Sequence, residues 1–147
     1  MEKYRIIIGT NLWISLLIGK RLLELHALCN SDKVEIYICD ELEAEFKRIA
    51  SRAKIRKYST DERVIQTLDL MKASCIFGSI EKRAVSPDLR DVNDLYLIAL
   101  AETVKADFIL TGDKDLLSLQ YHHITKIVTY KEFEVFINHS KSNEDTK

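Results

Sequence analysis

Apolar runs alternate with amphipathic stretches along this chain, and the alternation predicts strands connected by helices. Tyr4–Ile8 is a short, nearly uninterrupted apolar run, typical of a strand covered on both faces, and Val34–Ile38 is a second run that predicts another strand. Between them, leucines recur at helical spacing from Leu12 to Leu28, with an interruption at Gly19. The first third of the chain therefore predicts a strand, a broken helix and a second strand.

The middle of the chain predicts two more helices and a weak strand. Asp40 is a good N-cap for a helix with an apolar stripe, and residues 59–62 carry the capping signal of the next helix. Residues 75–77 form a weak strand candidate. Residues 78–90 contain Pro87, the only proline, and are expected to form an exposed connection.

The last third continues the alternation. A largely buried helix is predicted from Val92 to about Lys105, followed by strands at Phe108–Leu110 and Ile124–Val128. A closing helix is predicted at Lys131–Ile137. The chain thus predicts an α/β fold with three α/β/α layers and a central, mainly parallel sheet of the Rossmann-like class.

The bulk properties fit one ordinary domain. The chain has 147 residues, 31% of them charged, and a net charge of -1, which excludes a disordered acidic chain and a generally basic nucleic-acid coat. We expect a single domain over residues 1–139 and a disordered polar tail over 140–147. Three cysteines without metal-like spacing, and no apolar stretch of about 18 residues, predict a cytoplasmic protein with reduced thiols and no membrane contact.

Four aspartates are expected to meet at the carboxyl edge of the sheet. Asp113 and Asp115 follow the strand at 108–110, and Asp91 and Asp94 begin the helix before it. Helix capping explains each of them singly, but gathered like charges repel unless a cation or protons intervene. Oxygen ligands without clustered histidine or cysteine favour Mg²⁺ or Mn²⁺. The four histidines show no spacing that demands a metal or catalytic role.

Basic residues cluster between positions 47 and 57. Lys54, Arg56 and Lys57 lie at the end of this stretch, where they are candidates for phosphate contacts. A solvated helix face explains the same pattern equally well.

The order of these motifs resembles the PIN-domain family, in particular its branch of toxin components of toxin–antitoxin systems. The segments that carry the resemblance are Ile6–Ser15, Asp40–Phe46, Ser51–Tyr58, Arg90–Asp94, Leu97–Ala101 and Thr111–Leu117. Each motif has modest specificity, and their shared order along nearly the whole chain makes the match strong.

The resemblance implies a metal-dependent endoribonuclease that cleaves single-stranded RNA. Glu45, Asp94 and Asp113 match the family's acidic positions, and Asp91 and Asp115 flank them. Mg²⁺ or Mn²⁺ is the implied cofactor. The implied partners are RNA, a small antitoxin protein and a second copy of the chain in a homodimer.

The chain departs from the family at Gly9, where the family has an aspartate ligand. Thr10 and Asn11 match the polar pair that follows it. A glycine side chain supplies no oxygen, so the site is expected to be weakened or inactive. Either the chain is a natural PIN domain, weakened or non-catalytic, that binds RNA or a protein partner, or the aspartate was lost by design or by selection against a toxic product. A phosphoacceptor domain is a weaker alternative, since Asp113 and Lys114 share one turn.

Overall fold

A computed structural model describes residues 3–19, 22–80 and 95–145 of the chain. The strands of the described part are β1 (Tyr4–Ile8), β2 (Val34–Ile38), β3 (Ile76–Phe77), β4 (Phe108–Leu110), β5 (Tyr121–His122) and β6 (Thr125–Val128). Its helices are α1 (Thr10–Ile18), α2 (Leu22–Cys29), α3 (Asp40–Ala50), α4 (Ala53–Arg56), α5 (Asp61–Ser74), α6 (Leu95–Val104), α7 (Lys114–Leu117) and α8 (Tyr130–Asp145).

The strands form one sheet in the order β3-β2-β1-β4-β6-β5. All neighbouring pairs are parallel except β5 and β6, which form an antiparallel hairpin at one edge. Helices cover both sides of the sheet. The predicted three-layer α/β/α fold with a mainly parallel sheet is confirmed.

The centre of the sheet is β1, whose isoleucines form the heart of the core. Ile6, Ile7 and Ile8 are completely buried, because β2 and β4 flank the strand and helices cover its faces. The buried part of such a strand must be apolar, which is the pattern that the sequence shows from Ile6 to Ile8. Its end is therefore held rigidly, and so is the residue that follows it.

Several element boundaries differ from those predicted. The N-cap of α3 is Cys39, in extended conformation, and Asp40 is the first helical residue, so its predicted capping role is wrong. An acid in a first turn is still favoured by the helix dipole. The two-residue strand β5 was not predicted, because an edge strand this short carries no readable alternation.

The closing helix is longer than predicted. The backbone of α8 is helical from Tyr130 to Asp145, across the start of the segment expected to be disordered from Ser140. Neither proline nor glycine occurs between Ile137 and Asp145, so nothing in the sequence ends the helix there.

Two expectations fall on residues that are not described. Most of the predicted connection at 78–90 and the start of the helix at Val92 lie outside the described residues; α6 is described from Leu95. Within the described residues, no helix combines the length and the apolar character needed to cross a membrane.

Candidate metal site at the carboxyl edge of the sheet

The carboxyl ends of three adjacent parallel strands lie at the edge where the sequence predicts the site. Gly9 follows β1, Cys39 follows β2 and Thr111 follows β4. The register pairs Ile8 with Leu110, so Gly9 and Thr111 leave the sheet side by side. This edge is where open α/β sheets bind ligands.

Gly9 is buried and fixed against the end of β4. Its amide donates a hydrogen bond of 2.8 Å to the carbonyl oxygen of Leu110. The backbone of Gly9 has φ -62° and ψ 152°, which any residue adopts, so the conformation does not require glycine. A Cβ atom there would lie 3.3 Å from the Leu110 carbonyl oxygen and 3.5 Å from Oγ1 of Thr111. A side chain at position 9 would therefore start beside Thr111, at the cost of a small local adjustment.

Asp113 is held by the turn that follows Thr111. The amide of Asp113 donates to Oγ1 of Thr111 at 3.1 Å. Its carboxylate caps α7, since Oδ1 accepts from the amides of Asp115 at 2.8 Å and Leu116 at 3.4 Å. The capping interpretation of Asp113 is thus correct for Oδ1, and both bonds fix the orientation of a half-buried carboxylate at the edge of the site.

A buried hydroxyl pair ties the start of α1 to α6. Thr10 is 2% exposed, and its Oγ1 lies 2.6 Å from the phenolic oxygen of Tyr96. The pKa of Tyr96 is raised, chiefly by burial and also by the nearby charge of Glu45, while the bond to Thr10 opposes the shift. Glu45, half-buried on α3, therefore lies close to Tyr96 and Thr10.

The surroundings of this edge are dry. Cys39 is 1% exposed, and burial, as the main cause, raises the pKa of its thiol to about 12. Thr111 is 3% exposed. The side chains of Glu45 and Asp113 are partly buried, and charges interact more strongly in such surroundings than in bulk water.

The other predicted site residues have different positions. Asp115 lies exposed in the first turn of α7, and Asn11 lies exposed in the first turn of α1. Asp91 and Asp94 lie outside the described residues. Of the predicted acids, the structure places Glu45 and Asp113 at the carboxyl edge with partly buried side chains.

The basic segment follows the end of the helix that carries Glu45. Lys54, Arg56 and Lys57 are exposed on and after α4, which begins three residues after Ala50, the last residue of α3. Arg56 donates two hydrogen bonds of 2.8 Å to the carboxylate of Asp61. Its charge is therefore partly compensated within the chain.

Sequence reasoning missed a second cluster of possible metal ligands. Within the described ranges, Glu102, His122 and His123 are the group of three whose ligand atoms lie within 4.8 Å of one another. The adjacent histidines are visible in the sequence, but their carboxylate partner is 20 residues away from His122 and belongs to another element. Only the hairpin β5–β6, which was itself not predicted in full, brings them together.

Comparison with known structures supports the fold. The chain superimposes on the PIN domain of RRP44 from T. brucei with a TM-score of 0.53, over 96% of this chain and 85% of that one. The sequences are 13% identical, so this likeness concerns the fold alone. No curated protein matches the sequence.

A family model assigns the chain directly. The model of the PIN domain matches residues 5–115, which contain β1 from its second residue, β4 and the turn with Asp113. PIN domains are generally nucleases that use divalent metal ions. Because the match spans most of its length, this protein belongs to the PIN-domain family.

Proposed function

We propose that the protein is a PIN-domain endoribonuclease for single-stranded RNA, whose Mg²⁺ or Mn²⁺ site at the carboxyl edge is weakened because Gly9 replaces an aspartate. The proposed ligands are Glu45, Asp94 and Asp113, flanked by Asp91 and Asp115. The family membership supports the reaction class, and the positions of Glu45 and Asp113 support the place of the site.

The observation that carries the proposal is the position of Gly9. Its backbone is hydrogen-bonded to the end of β4, and a Cβ atom would lie 3.5 Å from Oγ1 of Thr111. The same oxygen accepts the hydrogen bond from the amide of Asp113. An aspartate at position 9 would thus begin next to the turn that holds Asp113. Its absence removes one carboxylate without disturbing the frame.

The donor chemistry fits a hard divalent cation. Glu45 and Asp113 supply carboxylate oxygens, and Mg²⁺ is commonly held by one or two carboxylates together with water molecules. A bound ion would neutralise charge on a phosphate and lower the pKa of a water molecule. The loss of an aspartate at position 9 therefore reduces affinity for the metal and leaves an oxygen-donor site.

The side chains around these acids have positioning roles in the proposal. The pair of Thr10 and Tyr96 holds α6 against the start of α1 beside Glu45. The cap at α7 orients the carboxylate of Asp113. Lys54, Arg56 and Lys57 attract RNA from a distance, since a basic surface raises the local concentration of a polyanion.

Restoration of the carboxylate tests the proposal. Gly9→Asp should increase Mn²⁺-dependent cleavage of a labelled single-stranded RNA by about 100-fold, because a completed metal site contributes several kcal/mol to the transition state. Gly9→Asn is the matched control, with the same shape and no charge, and should give little gain. If Gly9→Asp is folded by circular dichroism and cleaves no faster than the natural chain, the proposal is wrong.

A non-catalytic binding module is the second candidate, and the missing oxygen at Gly9 favours it. A metal that binds only the native state raises the melting temperature, so the nuclease proposal expects Mn²⁺ to stabilise the chain. RNA binding without any Mn²⁺-dependent shift, in both the natural chain and Gly9→Asp, would favour the module.

The biological part of the proposal is a toxin of a toxin–antitoxin pair, acting in the cytoplasm as a homodimer that a small antitoxin protein binds. Its support is the resemblance carried by the motifs of the sequence. Induced expression of Gly9→Asp in a bacterial host should arrest growth, whereas Gly9→Asn should not. Light scattering on the purified chain tests the homodimer, for which a mass of 34 kDa is expected from the 17.0 kDa chain (2 × 17.0).

A further inference from the structure

Two histidines and a glutamate meet at the edge of the sheet opposite to Gly9. Glu102 lies near the end of α6, whose last residue, Val104, accepts a hydrogen bond of 2.9 Å from the Arg5 side chain of β1. His122 ends β5 and His123 lies in the turn that leads to the start of β6. The cluster is therefore at the amino edge of the parallel strands.

The three side chains converge on one carboxylate oxygen. Oε1 of Glu102 contacts Nε2 of His122 and lies 3.4 Å from Nε2 of His123. The two imidazole rings are 4.5 Å apart between centroids, at an angle of 80°. All three ligand atoms lie within 4.8 Å of one another. Small movements of these side chains would bring all three atoms within bonding distance of one metal ion.

The backbone at His123 explains how neighbouring residues reach the same partner. Successive residues of an extended strand direct their side chains to opposite faces. His123 instead has φ 53°, in the left-handed region that non-glycine residues rarely adopt. It lies in the two-residue turn between the paired residues His122 and Thr125. The alternation of side chains between the two faces therefore ends at His123, and its ring lies on the same side as that of His122.

We propose that Glu102, His122 and His123 form a second metal site, which binds a Zn²⁺-type transition metal ion. Two imidazole nitrogens and one carboxylate oxygen suit Zn²⁺ and related ions, whereas Mg²⁺ prefers oxygen ligands alone. This site is separate from the acids at the carboxyl edge and does not depend on the proposed ribonuclease activity.

The three ligands differ in how exposed they are, and the site is open to solvent on the side of His123. The side chain of His122 is 14% exposed and that of Glu102 is 28% exposed, whereas His123 is 73% exposed. The first two ligands are thus fixed in the fold, and His123 closes the site from outside. Water would complete the coordination. The bound ion would tie the end of α6 to the hairpin of β5 and β6.

Titration of the full chain with Zn²⁺ tests the site. Isothermal titration calorimetry should detect one Zn²⁺ per chain. His123→Ala should weaken Zn²⁺ binding by more than about tenfold, the lower bound of the loss on removal of an outer-shell partner, since it removes a direct ligand. His139→Ala is the matched control, because this histidine is also exposed but lies on α8. It should leave the affinity unchanged.

A second pair of measurements separates this site from the carboxyl edge. Asp113→Asn should leave Zn²⁺ binding intact. Co²⁺ in place of Zn²⁺ should give a visible absorption band in the natural chain that is lost in His123→Ala, which removes an exposed side chain and so leaves the fold intact. Equal Zn²⁺ affinity in the natural chain and His123→Ala, or no binding by the natural chain, would show that the cluster is only a hydrogen-bonded ion pair.

Discussion

The two edges of the sheet differ in how their possible metal ligands are held. At the carboxyl edge, Thr10 and Thr111 are 2% and 3% exposed, the carboxylate of Asp113 is fixed by its cap of α7, and the hydroxyls of Thr10 and Tyr96 are hydrogen-bonded to each other. At the amino edge, one member of the cluster, His123, is 73% exposed on a hairpin turn. The first edge offers oxygen donors, and the second offers two nitrogen donors on the β5–β6 hairpin and one oxygen donor on α6.

The two edges also differ in whether the backbone or the ligand side chains are complete. The carboxyl edge retains its frame although Gly9 provides no ligand, because the hydrogen bond from the Gly9 amide to Leu110 uses only backbone atoms. At the amino edge, the three side chains are present and already in contact. A substitution of Gly9 should therefore change metal chemistry with little effect on folding, and a substitution of a ligand at the amino edge should remove that site itself.

Asp113 gives the largest expected effect. In a Gly9→Asp background, Asp113→Asn should lower Mn²⁺-dependent RNA cleavage by about 100-fold, because it removes a charged ligand. Asparagine caps helices as well as aspartate does, so the melting temperature should be nearly unchanged. Cleavage assays with melting curves separate the two roles. A large fall in melting temperature with no loss of cleavage would show that Asp113 acts only as the N-cap of α7 and not as a metal ligand.

The hydroxyl pair at the carboxyl edge gives a smaller effect, on stability. Tyr96→Phe leaves the hydroxyl of Thr10 buried without its partner, which should cost about 1–2 kcal/mol of unfolding free energy. Urea denaturation measures this difference. Tyr58→Phe is the control, since Tyr58 is 60% exposed and its change should be close to zero. Equal stability of the two variants would contradict the rigid frame described for this edge.

The basic segment gives the smallest effect. Lys54→Ala should weaken binding of single-stranded RNA a few-fold and reduce the salt slope of the logarithmic affinity by about 0.7. Arg56→Ala should have less effect, because the guanidinium already donates two hydrogen bonds to Asp61. Fluorescence anisotropy at several salt concentrations compares the two. A larger loss of RNA affinity for Arg56→Ala than for Lys54→Ala would show that Arg56, and not Lys54, makes the main contact with RNA.

The sequence predicts the centre of this fold better than its edges. Ile6–Ile8 of β1 and the whole of β4 read as apolar runs because both of their faces are covered, whereas β2 alternates buried and partly buried residues; Gly19 interrupts the first helical stretch as expected. The two-residue strand β5 has no such pattern, since its pairing partner in the hairpin determines it. Burial on both faces leaves a clear signal, and edge pairing does not.

The same contrast applies to the ligands. Asp113 was predicted because it directly follows a buried strand, and position relative to a strand end can be read along the chain. The cluster of Glu102 and His122 joins a helix end to a hairpin, and no spacing rule connects them. A contact between a helix end and a hairpin can be found only in the tertiary structure, because no spacing along the chain predicts it.

Direct measurement of Mn²⁺ affinity at the carboxyl edge tests the central claim, that Gly9 is the missing ligand of an otherwise intact oxygen-donor site. Titration followed by electron paramagnetic resonance should compare the natural chain, Gly9→Asp and Gly9→Asn, all in a His123→Ala background that disables the amino edge. The account predicts at least about tenfold tighter Mn²⁺ binding by Gly9→Asp than by the other two, since a direct ligand matters no less than an outer-shell one. Equal affinity in all three, with each protein folded, would contradict it.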